Sequence, residues 1–477
     1  MPDTGGRSPA LVGRQIGGVW TVQVIQVVAQ IGYAAVTSRL IDPEGFAQYA
    51  VALAIFAVIG LVAVMGLGNA AARRVDDDLQ ADRRLVSYGL VLGLAAAVFT
   101  VLAAGVLGAL WAADDAVGAI RLISVAIAFL PWATVLAGIL RRQGRISVLN
   151  RSTLAAGLLS IGFGLPIVVL TGEPWALVLT PVLNQVLLTG LCAVRLGRRA
   201  LPSLSLRGGR PDLVFGSKSM TLSALNQFAY YGSLWVLSRV GGPTVFGSWN
   251  RALVVGQLPQ ESATRAAVTV IFPFFRNARV DPRSEARAWT DMLTVSCLVV
   301  LPASGVAIPL MPDVVEVLLG DQWGLAAAMA GWIWAAAAVT VLRTLLGAAL
   351  EASNTFGPLW WSQAVIVIVY VAGAVGVWLT GDWAALAVAL LIAAVASHLA
   401  QILGAGDLLH WRSLFLGYGL SLLLSFGLAV IAFGIARTCS QAWLCLLLGV
   451  LLEVLFVAAL WWRRDTIGPF RRLWVRP

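Results

Sequence analysis

The sequence predicts an all-α polytopic membrane protein of about fourteen transmembrane helices, built as two parallel six-helix repeats plus two C-terminal helices. Three observations predict it. Of the 477 residues 59% are hydrophobic and only 12% charged, with a mean hydropathy of +0.87, more apolar side chain than a water-soluble core needs. Apolar segments of about 18–25 residues recur from end to end, the length that crosses a bilayer as a helix, where barrel strands would show alternating segments of about 10. Finally, loop sequences of the first half recur in the second.

The expected spans follow one another with short connections and no extramembrane domain. The first, 14–37, follows the polar start MPDTGGRSPALVGRQ, which leads into a full-length span and lacks the form of a cleavable signal peptide. The turn DPE (42–44) separates it from 45–68. The charged stretch ARRVDDDLQADRR precedes 85–110, and Asp114 and Asp115 precede 117–140. RRQGR with Arg151 opens 152–171, Glu173 stands before 175–195, and the basic 195–218 segment leads into 215–239. The loop GGPT introduces 245–275, FRNARVDPRSEAR introduces 287–311, and LLGDQW introduces 324–350. LEASN, Asp382, Arg412 and a short loop with Cys439 set off 358–380, 383–405, 413–435 and 441–462.

Charge orients the chain. The net charge of +10 does not point to nucleic acid, because no soluble domain exists to display it and a single lysine, Lys218, accompanies the arginines. With the amino terminus in the cytoplasm, 26 of the 33 basic residues fall inside and five outside (Arg39, Arg121, Arg239, Arg251 and Arg437). The outer loops carry acids instead, among them Asp114, Asp115, Glu173, Asp313, Glu316 and Asp382. The positive-inside rule thus places both termini in the cytoplasm.

The repeat is read from two loops. SRLIDPEGFAQYAVAL (38–53) aligns with SRVGGPTVFGSWNRAL (238–253) at an offset of 200, and LTGEPWAL (170–177) aligns with LTGDWAAL (379–386) at 209. Six helices separate the copies, so both have the same orientation, related by an axis along the membrane normal. Parallel repeats of this kind are a transporter architecture. The expected division is 1–200 and 201–410 as six-helix lobes, with 411–477 as two extra helices and a basic cytoplasmic tail.

Polar residues inside the spans mark the candidate site. Asn250, Gln257, Glu261, Thr264 and Arg265 share an arc of about 100° on the eighth helix. Gln23, Gln26, Gln30, Tyr33 and Thr37 form a stripe on the first, and Ser219, Ser223, Asn226, Gln227 and Tyr230 gather on the seventh. Side-chain amides cannot face lipid unsatisfied, so the stripes face either packed helices or a wet cavity between the halves. A charge at the bilayer centre costs about 2.5–3.5 kcal/mol on the translocon scale, so Arg265 and Arg343 need a partner, water or a snorkelling path. Glu261 and Arg265 at i,i+4 could neutralise one another. With Arg251, Arg265 and Arg343 the cavity would be net positive and would suit a phosphate, pyrophosphate or acidic sugar, which guanidinium forks bind well. Arg39 and Arg239 lie at the outer mouth, as cavity residues or as helix-end anchors. Pro131, Pro166, Pro181, Pro259, Pro302 and Pro309 interrupt spans, and Pro259 beside Gln257 could act as a hinge.

Other chemistry finds little support. The four cysteines lack metal-ligand spacing, although Cys439 and Cys445 flank an outer loop and leave a disulfide there open. His398 and His410 are solitary, no Walker sequence is present, and no cofactor or metal is called for. The DPE acids read as a turn or, in an enzyme, as a metal-holding pair.

SRLIDPEGFAQYAVALAIFAVIGLVAVMGLGNA (38–70) resembles the signature of polysaccharide-exporting flippases, the Wzx-type translocases of the multidrug/oligosaccharidyl-lipid/polysaccharide exporter superfamily. Pro43, Glu44, Phe46, Tyr49, Gly66, Leu67 and Gly68 fill that signature, with Ala47 where glycine is usual. In the second half Gly247, Trp249, Ala252, Pro259, Phe272 and Pro273 take the expected places, while Ser233 stands where many relatives carry an aspartate. Cation coupling would then dispense with that acid or use Glu261. The resemblance implies a non-enzymatic flippase that moves an undecaprenyl-diphosphate-linked oligosaccharide across the bacterial plasma membrane by alternating access. Its expected partners are the polyprenyl-diphosphate-linked glycan, membrane lipid and a polysaccharide polymerase, and not nucleic acid. A cation-coupled drug antiporter of the same superfamily and a peptidoglycan-precursor flippase are the alternatives. Arg265→Ala and Arg343→Ala are each expected to abolish surface-glycan export with normal membrane levels, read by immunoblot beside polysaccharide yield.

Overall fold

Hydrocarbon offers no water to a peptide group, so a spanning backbone must satisfy itself, and this chain does so with helices. A computed structural model describes residues 9–75, 78–203, 209–278, 282–464, 466–469 and 471, without the side chains of 9–24, 218–219, 222–223 and 258–285. The helices are α1 (Pro9–Leu40), α2 (Pro43–Val64), α3 (Leu67–Arg73), α4 (Leu79–Leu110), α5 (Val117–Arg142), α6 (Ile146–Thr171) and α7 (Leu179–Leu196). They continue as α8 (Arg210–Ala278), α9 (Pro282–Ala307), α10 (Met311–Leu319), α11 (Gly324–Ala352), α12 (Gly357–Thr380), α13 (Ala384–Ala405), α14 (Trp411–Thr438) and α15 (Ala442–Trp462). No strand occurs among the described residues. Eleven helices among the described residues are long and apolar enough to cross a membrane, and the protein is a multi-pass membrane protein. The three remaining expected spans, 14–37, 215–239 and 245–275, fall within α1 and α8.

Two compact units form, one from Val24–Asn250 and one from Arg251 onward together with the start of the chain up to Gln23. In the first unit the expected span 45–68 is divided. The chain leaves the helix at Met65 (φ 43°, ψ 32°) and Gly66 (φ 65°, ψ 16°) and resumes as α3. The cause is close packing. A Cβ on Gly66 would run into the carbonyl of Gly216 on α8, and one on Gly68 would lie 2.9 Å from the Thr134 carbonyl of α5. The Gly-Leu-Gly run is therefore a backbone crossing point, with Leu67 fully buried between.

The DPE acids are used as a turn. Asp42 caps α2 by accepting from Gly45 N at 2.8 Å, with Pro43 in the first helical turn, while Glu44 accepts from Thr244 Oγ1 at 3.2 Å. Arg239 donates to Ala109 O at 2.8 Å, Trp235 Nε1 to Leu110 O at 2.7 Å and Ser238 Oγ to Trp111 O at 3.0 Å. Side chains of α8 thus satisfy the carbonyls that the end of α4 leaves over.

The repeat is visible in backbone detail. Gly242 (φ 79°, ψ 179°) interrupts the 69-residue α8 at the position matching Asp42, which with Ile41 separates α1 from α2. Glycine can take that positive φ without strain. Gly172 ends α6 at φ 65°, ψ 9°, and Gly381 ends α12 at φ 72°, ψ 3°. After each, an acid follows whose N–H donates to the preceding threonine hydroxyl, Glu173 to Thr171 at 3.4 Å and Asp382 to Thr380 at 3.2 Å. At the same offset of 209, Gly197 (φ 56°, ψ −125°) matches Gly406 (φ 55°, ψ −127°).

The arginine-rich end of the first unit is built on one buried carboxylate. Asp82, which the expected start of the third span at 85 left in a loop, lies within α4 and is fully buried. Arg142 reaches it at 2.7 Å and Arg199 at 3.0 Å, tying α4, α5 and the turn after α7 together. Nearby, Arg74 pairs with Asp212 at 2.8 Å. In the second unit all-apolar packing dominates around Trp289, Leu293, Leu345, Leu350 and Leu414. Cys439 and Cys445 are free thiols, and Cys445 packs with Val306, Leu310 and Ala432. Asp82→Ala would strand two cations and is expected to cost about 3–5 kcal/mol. Asp78→Ala removes an exposed cap and costs about 1 kcal/mol, so melting curves of the two variants in detergent separate buried pairing from surface charge.

Candidate functional site

An ionisable side chain inside a span is the strongest pointer to function in a membrane protein. Arg343 meets that description. It sits on α11, half-buried, with its Nε buried and without a hydrogen-bond partner among the described residues. No carboxylate pairs with it among those residues.

Arg343 lines a cavity of about 340 Å³ in the second unit, near the lower end of the roughly 300–1,000 Å³ usual for small-molecule sites. Gln257 contributes from α8; Ala336, Ala337, Thr340, Val341 and Thr344 join Arg343 from α11. Ile366 and Tyr370 come from α12, and Leu390, Ala393, Ala394 and Ser397 from α13. Thr340 stands one turn from Arg343 on α11, and the small Ala336 and Ala337 about two turns away. Thr340 and Thr344 each donate to the carbonyl four residues back at 2.8 Å, which satisfies their hydrogens and leaves acceptor lone pairs. Tyr370 and His398 lie within electrostatic reach of Arg343. Behind the cavity His398 Nε2 and the Tyr418 hydroxyl are 2.6 Å apart. A guanidinium fork beside hydroxyl and amide groups, in a setting of reduced dielectric, is suited to an oxyanion.

Of the twelve residues singled out in the sequence, the structure brings Gln257 and Arg343 together on this cavity. Gln26, Gln30, Asn226, Tyr230 and Asn250 are half-buried and Gln227 is exposed, all within the first unit. Asn226 Oδ1 is buried without a partner among the described residues, and Tyr230 stands edge-on to Tyr231 at 5.3 Å. Arg251, in the second unit, is 4% exposed. The side chains of Gln23, Glu261 and Arg265 lie outside the described residues, as do those of Ser219, Ser223, Pro259 and Thr264.

The end of the first stripe at Tyr33 and Thr37 is structural. Tyr33 OH accepts from Thr180 at 3.1 Å, and Thr37, fully buried, bonds back to Tyr33 O at 2.8 Å. Ser233 is buried and likewise bonds back to Ala229 O at 2.8 Å, so it brings no ionisable group.

Sequence reading missed Thr340, Thr344, Tyr370 and Ser397. Thr340 shares the arginine's helical face at i−3 and was findable by that spacing; Thr344, at i+1, points about 100° away, and it, Tyr370 and Ser397 needed the packing of α11, α12 and α13. Glu453 was missed as well. It lies midway along α15, half-buried, with Oε2 buried and unpartnered among the described residues.

The chain is a multi-pass helical membrane protein with a partly polar cavity between its helices. Its fold matches the lipid II flippase MurJ in an inward closed conformation, with a TM-score of 0.69 at 11% identity over 94% of this chain and 99% of that one. A multidrug resistance MATE family transporter of the MOP superfamily matches at 0.61 and 16% identity, over 82% and 98%.

The sequence then narrows the class. Residues 36–328 match the profile of the polysaccharide biosynthesis protein family, and the chain belongs to that family. It is 22% identical over 382 residues to the lipopolysaccharide biosynthesis protein WzxC of Escherichia coli (strain K12), covering 76% of each chain. It is 23% identical over 302 residues to the succinoglycan biosynthesis transport protein ExoT of Rhizobium meliloti (strain 1021), covering 61% of this chain and 59% of that one. In a protein freed of its native cysteines, Thr340→Cys and Thr344→Cys are expected to react with a small polar thiol reagent. Cys297, fully buried, restored alone should stay unreactive.

Proposed function

We propose that this chain is a flippase that carries an undecaprenyl-diphosphate-linked oligosaccharide across the bacterial plasma membrane by alternating access, for surface polysaccharide biosynthesis. Membership of the polysaccharide biosynthesis protein family over residues 36–328 carries the reading. The two relatives whose names describe lipopolysaccharide and succinoglycan biosynthesis support the class of cargo. The physical problem fits the chemistry present. A polyprenyl tail belongs in hydrocarbon, whereas a diphosphate and a glycan cannot enter it unaided. Arg343, with Gln257, Thr340, Thr344, Tyr370 and Ser397 around it, would hold the diphosphate while the tail remains in lipid.

In this reading both termini face the cytoplasm, in line with the 26 basic residues assigned to that side. The halves 1–200 and 201–410 act as the moving lobes, supported by the matched loop conformations at offsets of 200 and 209. A polysaccharide polymerase is the natural recipient of the delivered glycan.

The test uses the purified full chain in liposomes that contain a fluorescent undecaprenyl-diphosphate oligosaccharide. Headgroup accessibility to an external glycosidase should rise with time in wild-type vesicles, and Arg343→Ala should slow it at least tenfold. No transfer by the wild-type protein would overturn the reading, and an equal rate in Arg343→Ala would remove the cavity from it.

A further inference from the structure

The end of the first unit that carries the acids holds a pocket of about 430 Å³. Its walls come from three places in the chain: Gln48 on α2, Asp115 and Gly118 at the start of α5, and Glu173, Pro174 and Trp175 in the turn before α7. The turn is rigidly seated. Ala176, Leu177 and Val178, directly after the indole, are fully buried, and Pro174 packs where a Cβ on Gly45 of α2 would come within 2.9 Å of it. Trp175 itself is left 42% exposed. The space beside Gly118 is open, since a Cβ there would meet nothing within 4 Å.

Interfacial tryptophans commonly anchor a helix in the headgroup layer, and acids at helix starts complement the helix dipole. Those roles account for an indole facing lipid and for carboxylates on separate loops. They do not account for an indole, two carboxylates and a carboxamide converging on one cavity. That combination is a sugar-binding chemistry. The C–H face of a pyranose packs on an indole, carboxylates accept from paired hydroxyls or an ammonium, and a carboxamide does both.

We propose that this pocket is a glycan subsite for neutral or amino sugar residues of the cargo. The proposal rests on the flippase reading and deepens it. The two carboxylates repel uronic acids and phosphates, so the pocket has the opposite preference to the Arg343 cavity. Diphosphate and sugar would then be recognised at separate places, and the sign of charge at this pocket would select among glycans.

Saturation-transfer NMR on the full chain in lipid nanodiscs tests it, with methyl α-glucoside, glucosamine and galacturonic acid as probes. Transfer is expected to the first two and at least fivefold less to galacturonic acid. Trp175→Ala should reduce it at least fivefold, and so should Gly118→Leu, which adds apolar bulk where a Cβ meets nothing within 4 Å and removes no polar group. Absence of transfer to glucoside and glucosamine in the wild type overturns the proposal, as does transfer unchanged in a Gly118→Leu protein that melts normally. Liposome flipping by the same wild-type preparation separates the two readings. Flipping without sugar binding removes this subsite alone, whereas sugar binding without flipping removes the flippase reading.

Discussion

Everything in this molecule follows from the absence of water around its backbone. An unsatisfied peptide group in hydrocarbon costs several kcal/mol, about what a folded domain can spare in total. The chain therefore stays helical wherever it spans, and its small polar side chains turn inward on their own helices. Thr37, Thr100, Thr189 and Ser421 are all buried, and each donates to a carbonyl four residues back at 2.7 to 2.8 Å. Departures from helix occur where something else meets the freed groups or where glycine removes the strain, as at Gly66 and Gly242.

Charge obeys the same constraint, and that is what separates two kinds of buried ion here. Asp82 is fully enclosed but answered by two guanidinium groups, so its role is to join helix ends. Arg343 has no carboxylate among the described residues, only a phenol and an imidazole within reach and an open cavity beside it. A cation left in that condition is stabilised by water or by an anion that comes and goes.

The family signature and the cavity occupy different parts of the chain. Gly66, Leu67 and Gly68 are a packing device where α3, α5 and α8 meet, and the matched profile ends at residue 328. Apart from Gln257, every residue lining the cavity lies beyond that point. Membership thus speaks for the scaffold, while the cavity is walled mainly by α11, α12 and α13.

The sequence alone determined the helical class and pointed to most of the spans and to an internal repeat, because apolar length and loop punctuation are local properties. LTGEPWAL and LTGDWAAL align in the sequence, and Gly172 and Gly381 end α6 and α12 in matching conformations. It also singled out Gln257 and Arg343, because polar groups in apolar runs stand out by composition. What it left undecided was which faces meet. That Asp82 answers Arg142 and Arg199, that Tyr33 and Thr37 serve packing, that Tyr370 and Ser397 stand near Arg343 and that Trp175 shares a pocket with Asp115 are contacts between helices distant in sequence. Apolar helix surfaces are too alike for their pairing to be read from one chain, so only the packed structure could decide it.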